Sequence, residues 1–313
     1  MEDENIRNEQ RSSALTQSYK RFKSVAKKML RVYGLRLPHH LAVFDAFCRS
    51  LSEVEQNGLN IMGMSPSGIM RWFDDDGLSM ETIDGLDPRL DQRYHGDPPE
   101  LVTIINGDTD GLHFGLWYED PACFPSFIVR NYARDSAWTF STGCITAREL
   151  LAQEVAEFRS HNPAVQEVRE LQIALEWFLG ADTFALEIDG LSNDAKKDSI
   201  ECVGGCCPAL PRGSGNPRCS SKDVDRRQEA YEKNDPVIKT WIANARKELD
   251  ENKPAFAFII GRELFWYGSD DYRDEGLELL EAAYKKLDRQ AFAEIARVHF
   301  MHRRLDSVSV YKS

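Results

Sequence analysis

No apolar run in this 313-residue chain approaches the ~20 residues needed to cross a bilayer; the longest, such as Ala255 to Ile260, are of core length. The opening Met1-Glu2-Asp3-Glu4-Asn5 is polar and lacks the apolar core of a secretory leader, so an intracellular protein is expected. Positive charge is also short: 39 Lys and Arg face 51 Asp and Glu, a net charge of -12. A chain this acidic has no general electrostatic attraction for nucleic acid, because duplex binding rests on clustered Lys and Arg neutralising phosphates. No repeat of fixed period recurs. Also missing are a phosphate-cradling glycine loop between strand and helix, a metal-binding His pair with its Glu, and the kinase motifs. A self-sufficient enzyme is therefore the least favoured class. Gly63-Met64-Ser65-Pro66-Ser67-Gly68 only approximates a nucleophile elbow; its proline and the lack of a preceding strand make it a plain loop.

What remains is globular: 42% hydrophobic and 29% charged residues, in a length that suits two cores. Seven cysteines, an odd number, fit reduced thiols in a reducing compartment. The fold class expected is α+β in two domains. Residues 1–17 hold almost nothing to bury and read as a flexible arm. In a first domain, 18–180, Phe22, Val25, Ala26, Met29, Leu30 and Tyr33 recur at helical spacing before Gly34, and a second helix follows Pro38. The period then changes. Leu101 to Ile105 and Leu112 to Tyr118 predict an antiparallel hairpin, with Phe127-Ile128-Val129 as the next strand. Helix resumes from Thr146 to about Phe178, broken near Asn162-Pro163. Residues 181–223, which from about Asp189 are rich in Gly, Pro, Ser, Cys and Lys, read as a linker or insertion. The second domain, 224–313, opens on a helix capped by Asn234 or Asp235 with Pro236 at its first position. Apolar runs on either side of Gly261-Arg262-Glu263 predict a β-hairpin, and a helical region follows from Glu275 to His302.

Three groups could carry chemistry. Cys202, Cys206, Cys207 and Cys219 supply four thiols, but adjacent Cys206-Cys207 fits structural zinc spacing poorly. His113 sits between apolar neighbours on a strand and reads as a core histidine held by a hydrogen bond. Asp250 and Glu251 are adjacent at the C-terminal end of a helix, where the macrodipole is already negative. Like charge and dipole should push the pKa of one of them up, toward the range of a general base. The plain alternative is a solvated pair with Lys247 and Lys253 as counterions.

The run Asp97-Pro98-Pro99-Glu100-Leu101-Val102-Thr103-Ile104-Ile105, continuing into Gly115-Leu116-Trp117-Tyr118-Glu119-Asp120-Pro121 and Phe124-Pro125, resembles the central segment of the histone PARylation factor family. A second anchor is Gly261-Arg262-Glu263-Leu264-Phe265-Trp266-Tyr267-Gly268-Ser269, followed by Ala283-Tyr284 and Phe292-Ala293-Glu294-Ile295. A third is Tyr33-Gly34-Leu35-Arg36-Leu37-Pro38 leading to Phe47-Cys48. Together they span roughly residues 22 to 302 in the family's order.

The resemblance implies an accessory factor of the DNA-damage response and DNA repair. Such a factor binds the catalytic domain of a poly(ADP-ribose) polymerase, completes its active site and redirects ADP-ribose to serine on histones and other proteins. It implies no cofactor bound by this chain, with NAD held by the partner transferase, and no direct DNA or membrane binding. Location would be nuclear in a eukaryote and cytoplasmic otherwise. The family's key glutamate, preceded by aspartate, lies ten residues before the second anchor's glycine, which selects Glu251 and Asp250. Its Tyr-Arg pair for the transferase maps to the region of Arg218, with Arg212 the other candidate; no tyrosine precedes either. Asp74-Asp75-Asp76 stands where animal members are basic. The competing class is a non-catalytic interaction module of the immunity or scaffold type.

Overall fold

The computed structural model describes residues 2–178, 200–267, 270–303 and 305–312. Its first element, α1 (Glu2–Tyr33), corrects the expected arm at 1–17: from Glu2 onward those residues are helix. The stretch buries little apolar surface, yet its polar side chains have distant partners. Arg7 pairs with Glu55 at 3.1 Å and Arg11 lies 5.2 Å over the Trp177 ring, and just beyond the stretch Ser18 Oγ donates to Asp45 at 2.5 Å. Such tertiary contacts are invisible to a reading of local hydrophobicity.

Helices α2 (His40–Ser50) and α3 (Glu53–Ile61) follow, α3 starting on a capping box of Ser52 and Glu55. The sheet then forms in chain order: β1 (Ser65–Pro66), β2 (Leu101–Asn106), β3 (Leu112–Trp117), β4 (Phe127–Tyr132) and β5 (Thr139–Ser141). A second capping box, Thr146 with Glu149, starts α4 (Ala147–His161), and α5 (Gln166–Phe178) packs against α3.

Residues 181–199 of the expected linker lie outside the described residues. The remainder corrects that reading. Strands β6 (Ile200–Cys202) and β7 (Gly205–Cys207) join the sheet, whose order is β1-β2-β3-β4-β5-β7-β6; β5 and β7 pair parallel and all other neighbours antiparallel. Glycine permits this. A Cβ at Gly205, whose φ is +98°, would lie 2.1 Å from Thr139 O, so composition that reads as flexibility is here a requirement of close strand approach.

Helix α6 (Ser221–Glu232), capped by Ser220, begins within the expected linker, and α7 (Val237–Asp250) follows. The N-terminal signal is displaced by one residue: Pro236 occupies the cap, while Asp235 Oδ1 accepts from Val237 N at 2.8 Å. The expected second-domain β-hairpin is overturned. Ala255–Tyr267 is one continuous helix, α8, and Gly261-Arg262-Glu263 is buried within it. α9 (Arg273–Lys286) and α10 (Gln290–Met301) complete the helical end.

The class is α+β, and one buried apolar cluster runs from Ala14 to Tyr311, drawing on both halves of the chain. Buried ions fasten those halves. Arg262 pairs with Glu100, the residue before β2, at 2.6 Å and also donates to Cys206 O; Tyr284 donates to the same carboxylate. Glu263 points the other way, to Arg227 at 2.6 Å, Tyr231 at 2.9 Å and Val203 N at 3.0 Å.

Candidate functional site

Asp250 and Glu251 stand at the corner between α7 and α8. Ile238, Ile242, Ala245 and Leu249 form the buried stripe that seats α7. The helix stops because Asn252 takes a left-handed φ of +60°, a conformation Asn tolerates better than most residues. Lys253 N then donates to Glu248 O at 2.8 Å, Asn252 N to Leu249 O at 3.0 Å, and Pro254 prevents continuation. Lys286 Nζ, from the end of α9, reaches Asn252 Oδ1 at 3.2 Å and braces the turn. Asn252 followed two residues later by proline was a readable stop signal; the support from Lys286, 34 residues on, was not.

Both carboxylates face solvent. The expected rise in pKa does not occur at Glu251. Lys253 Nζ donates to its Oε2 at 2.9 Å, and this hydrogen bond together with the ammonium charge holds Glu251 below the usual carboxylate range. The reason is geometric: beyond the helix end the side chain is fully solvated, so neither dipole nor neighbour outweighs a direct cation. Glu251 is thus an ionised carboxylate on a fixed turn, facing outward.

Arg218 is brought to the same corner. Its guanidinium donates to Glu248, one turn before the candidate pair, and lies 3.8 Å over the Phe256 ring of α8. The loop carrying it is anchored there too, with Ala255 N donating to Ser214 O at 2.8 Å and Gly215 packed on Lys253. Arg212 is exposed in the turn closed by Ser214 N on Pro211 O, and no bond among the described residues links it to Glu251.

The other candidates are structural. His113 is fully buried, between Asp97 Oδ1 at 3.0 Å and Gly111 O at 2.8 Å, and stacks on Tyr94. Cys202 and Cys207 are buried in the β6–β7 hairpin, and all seven cysteines are free. Among the described residues no group of three or more His, Cys, Asp or Glu is arranged to hold a metal. The cavity beside Gly96, Val203, Gly204, Phe265 and Trp266 has about 10 Å³, room for one water. Among the described residues no helix is long and apolar enough to cross a membrane.

These features define an α+β protein that presents its acidic pair on an outward corner. A sequence profile described as histone PARylation factor 1 matches residues 23–207, more than half of the chain, and the chain belongs to that family. It is 24% identical to histone PARylation factor 1 of Danio rerio, over 89% of this chain and 85% of the relative. It is 25% identical to the Bos taurus protein of that name over 88% and 86%, and 22% to that of Mus musculus over 90% and 88%. The profile ends before the corner, but the pairwise similarities extend over most of both halves.

Proposed function

We propose that this protein is an accessory factor that docks on the catalytic domain of a poly(ADP-ribose) polymerase and supplies Glu251 in trans, directing ADP-ribose to serine on histones and other proteins. The observation that carries the reading is an ionised, outward carboxylate on a braced turn, at the position the family resemblance selects. A carboxylate acceptor is already charged, whereas a serine hydroxyl must lose its proton to attack, so only serine needs a base. Glu251 takes that proton as the serine oxygen bonds to the ribose carbon of NAD and nicotinamide departs. The transferase holds the NAD; this chain binds no cofactor of its own. Asp250 positions Glu251, and docking removes water, which raises the carboxylate's basicity when it is needed. Arg218, already at the corner, contacts the transferase, with Arg212 a second contact. The reading places the protein in the DNA-damage response and repair and, in a eukaryotic cell, in the nucleus.

The deciding experiment is a pull-down with a poly(ADP-ribose) polymerase catalytic domain, followed by mapping of the modified residues. Glu251→Ala is expected to keep complex formation and to abolish serine modification. Full-rate serine modification by that variant overturns the assignment. The solvated Glu251–Lys253 pair favours one competitor, a pure interaction module, in which wild type and variant would bind alike and neither would shift modification to serine.

A further inference from the structure

Between Glu9 and Asp45 the sequence contains eight Lys and Arg and no carboxylate, in a chain whose net charge is -12. About two thirds of that segment is α1. Val25, Met29 and Tyr33 turn into the core, while Lys20, Lys23, Lys27 and Arg31, spaced three or four residues apart, share the opposite, exposed face. None of the four makes a hydrogen bond or ion pair among the described residues. Of the nearby acidic stretch, Asp75 pairs with Arg21 at 2.5 Å, and Arg21 and Lys28 bind the backbone carbonyls of Phe73, Gly77 and Leu78 on the flank of the row.

We infer that the exposed row Lys20, Lys23, Lys27 and Arg31 is a docking surface for the phosphate backbone of duplex DNA. On a rise of 1.5 Å per residue the row is about 16 Å long and straight, the axial length of about five base pairs at ~3.4 Å each. The acidic total does not prevent this, because charges farther away than a Debye length, about 8–10 Å, are screened. Two other occupants fit worse. A membrane-surface helix buries its apolar face in lipid, and here that face is in the core. A protein partner would need apolar anchors, and of the large apolar side chains on this stretch only Leu30 is exposed. The contact is sequence-independent, since lysines reaching a backbone read no base edges. It stands apart from the Glu251 corner and does not depend on the role proposed for it.

The test is fluorescence anisotropy of a short labelled DNA duplex titrated with the full chain. Four neutralised phosphates predict a log–log salt slope near -3.6, or about 100-fold weaker binding between about 50 and 200 mM salt. The combined Lys20→Gln, Lys23→Gln, Lys27→Gln and Arg31→Gln variant should lose at least that factor at low salt while keeping the wild-type melting temperature. Each single change should reduce the slope by about 0.9, which keeps the test valid if the combined variant folds poorly. No binding at about 50 mM salt, a salt-independent affinity, or equal binding by the variants overturns the inference. So does capture by phosphatidylserine vesicles or polyglutamate through these four residues without capture of the duplex.

Discussion

The Arg227 guanidinium and the Glu263 carboxylate, both buried, meet through two hydrogen bonds of 2.6 and 2.9 Å that fasten α6 to α8. The same carboxylate also receives Tyr231 and the Val203 backbone, so one residue ties two helices to the β6–β7 hairpin. Removing one partner leaves a buried charge uncompensated, which typically costs about 3–5 kcal/mol. Glu263→Leu is expected to destabilise by that amount in denaturant unfolding. Pairing it with Arg227→Met should recover a large part of the loss, a non-additivity that a double-mutant cycle measures directly.

Gly261 makes a second prediction. A Cβ there would lie 2.5 Å from Leu280 N, so α8 and α9 approach backbone to backbone at this point. Gly261→Ala must push the helices apart, and overpacking of this kind costs typically about 1–3 kcal/mol. In an open hairpin tip the same change would be close to neutral. The midpoint of urea unfolding distinguishes the two.

That contrast shows what was legible. The hairpin β2–β3 and the helices α2, α4 and α5 follow from local period and caps, and the sequence specifies them locally. Gly261-Arg262-Glu263 reads as a turn because glycine beside two charges usually marks exposure. Here each residue is buried for a non-local reason: Gly261 admits α9, Arg262 meets Glu100, and Glu263 meets Arg227. The N-terminal half of α1 was missed for the same cause, its partners Glu55 and Trp177 lying far along the chain. At the candidate site, the adjacent acids and the turn were legible. The expected upward shift failed at Glu251 because the helix end is solvated and Lys253 is in contact.

His40 predicts a pH dependence. It is fully buried, its Nε2 has no hydrogen-bond partner, and burial, aided by the charge of His39, pushes its pKa down to about 3. The unfolded chain takes up a proton near pH 6.5 and the folded chain does not, so stability falls as pH drops from about 6.5 toward 3. The contribution is about 1.4 kcal/mol per pH unit. Buried Asp45, Asp91 and Glu119, whose pKa values burial raises, act in the opposite direction, so the comparison must be between variants. The unfolding free energy of His40→Leu should be less steep by about that amount between pH 6 and 4. An unchanged slope would show that His40 is not neutral in the folded state.

Lys253 offers a test of the corner that does not remove the proposed base. Its ammonium holds Glu251 below the ordinary carboxylate range, and the pair is exposed. Lys253→Met takes away both the hydrogen bond and the charge, so the Glu251 carboxyl should titrate at higher pH, closer to the ordinary glutamate value. Side-chain carboxyl NMR of the free protein reads this directly. If Glu251 is the base for serine, the acid limb of the pH–rate profile in the transferase complex must move upward with it. A limb that stays fixed while the NMR titration moves would assign the titrating group of the reaction to the transferase instead.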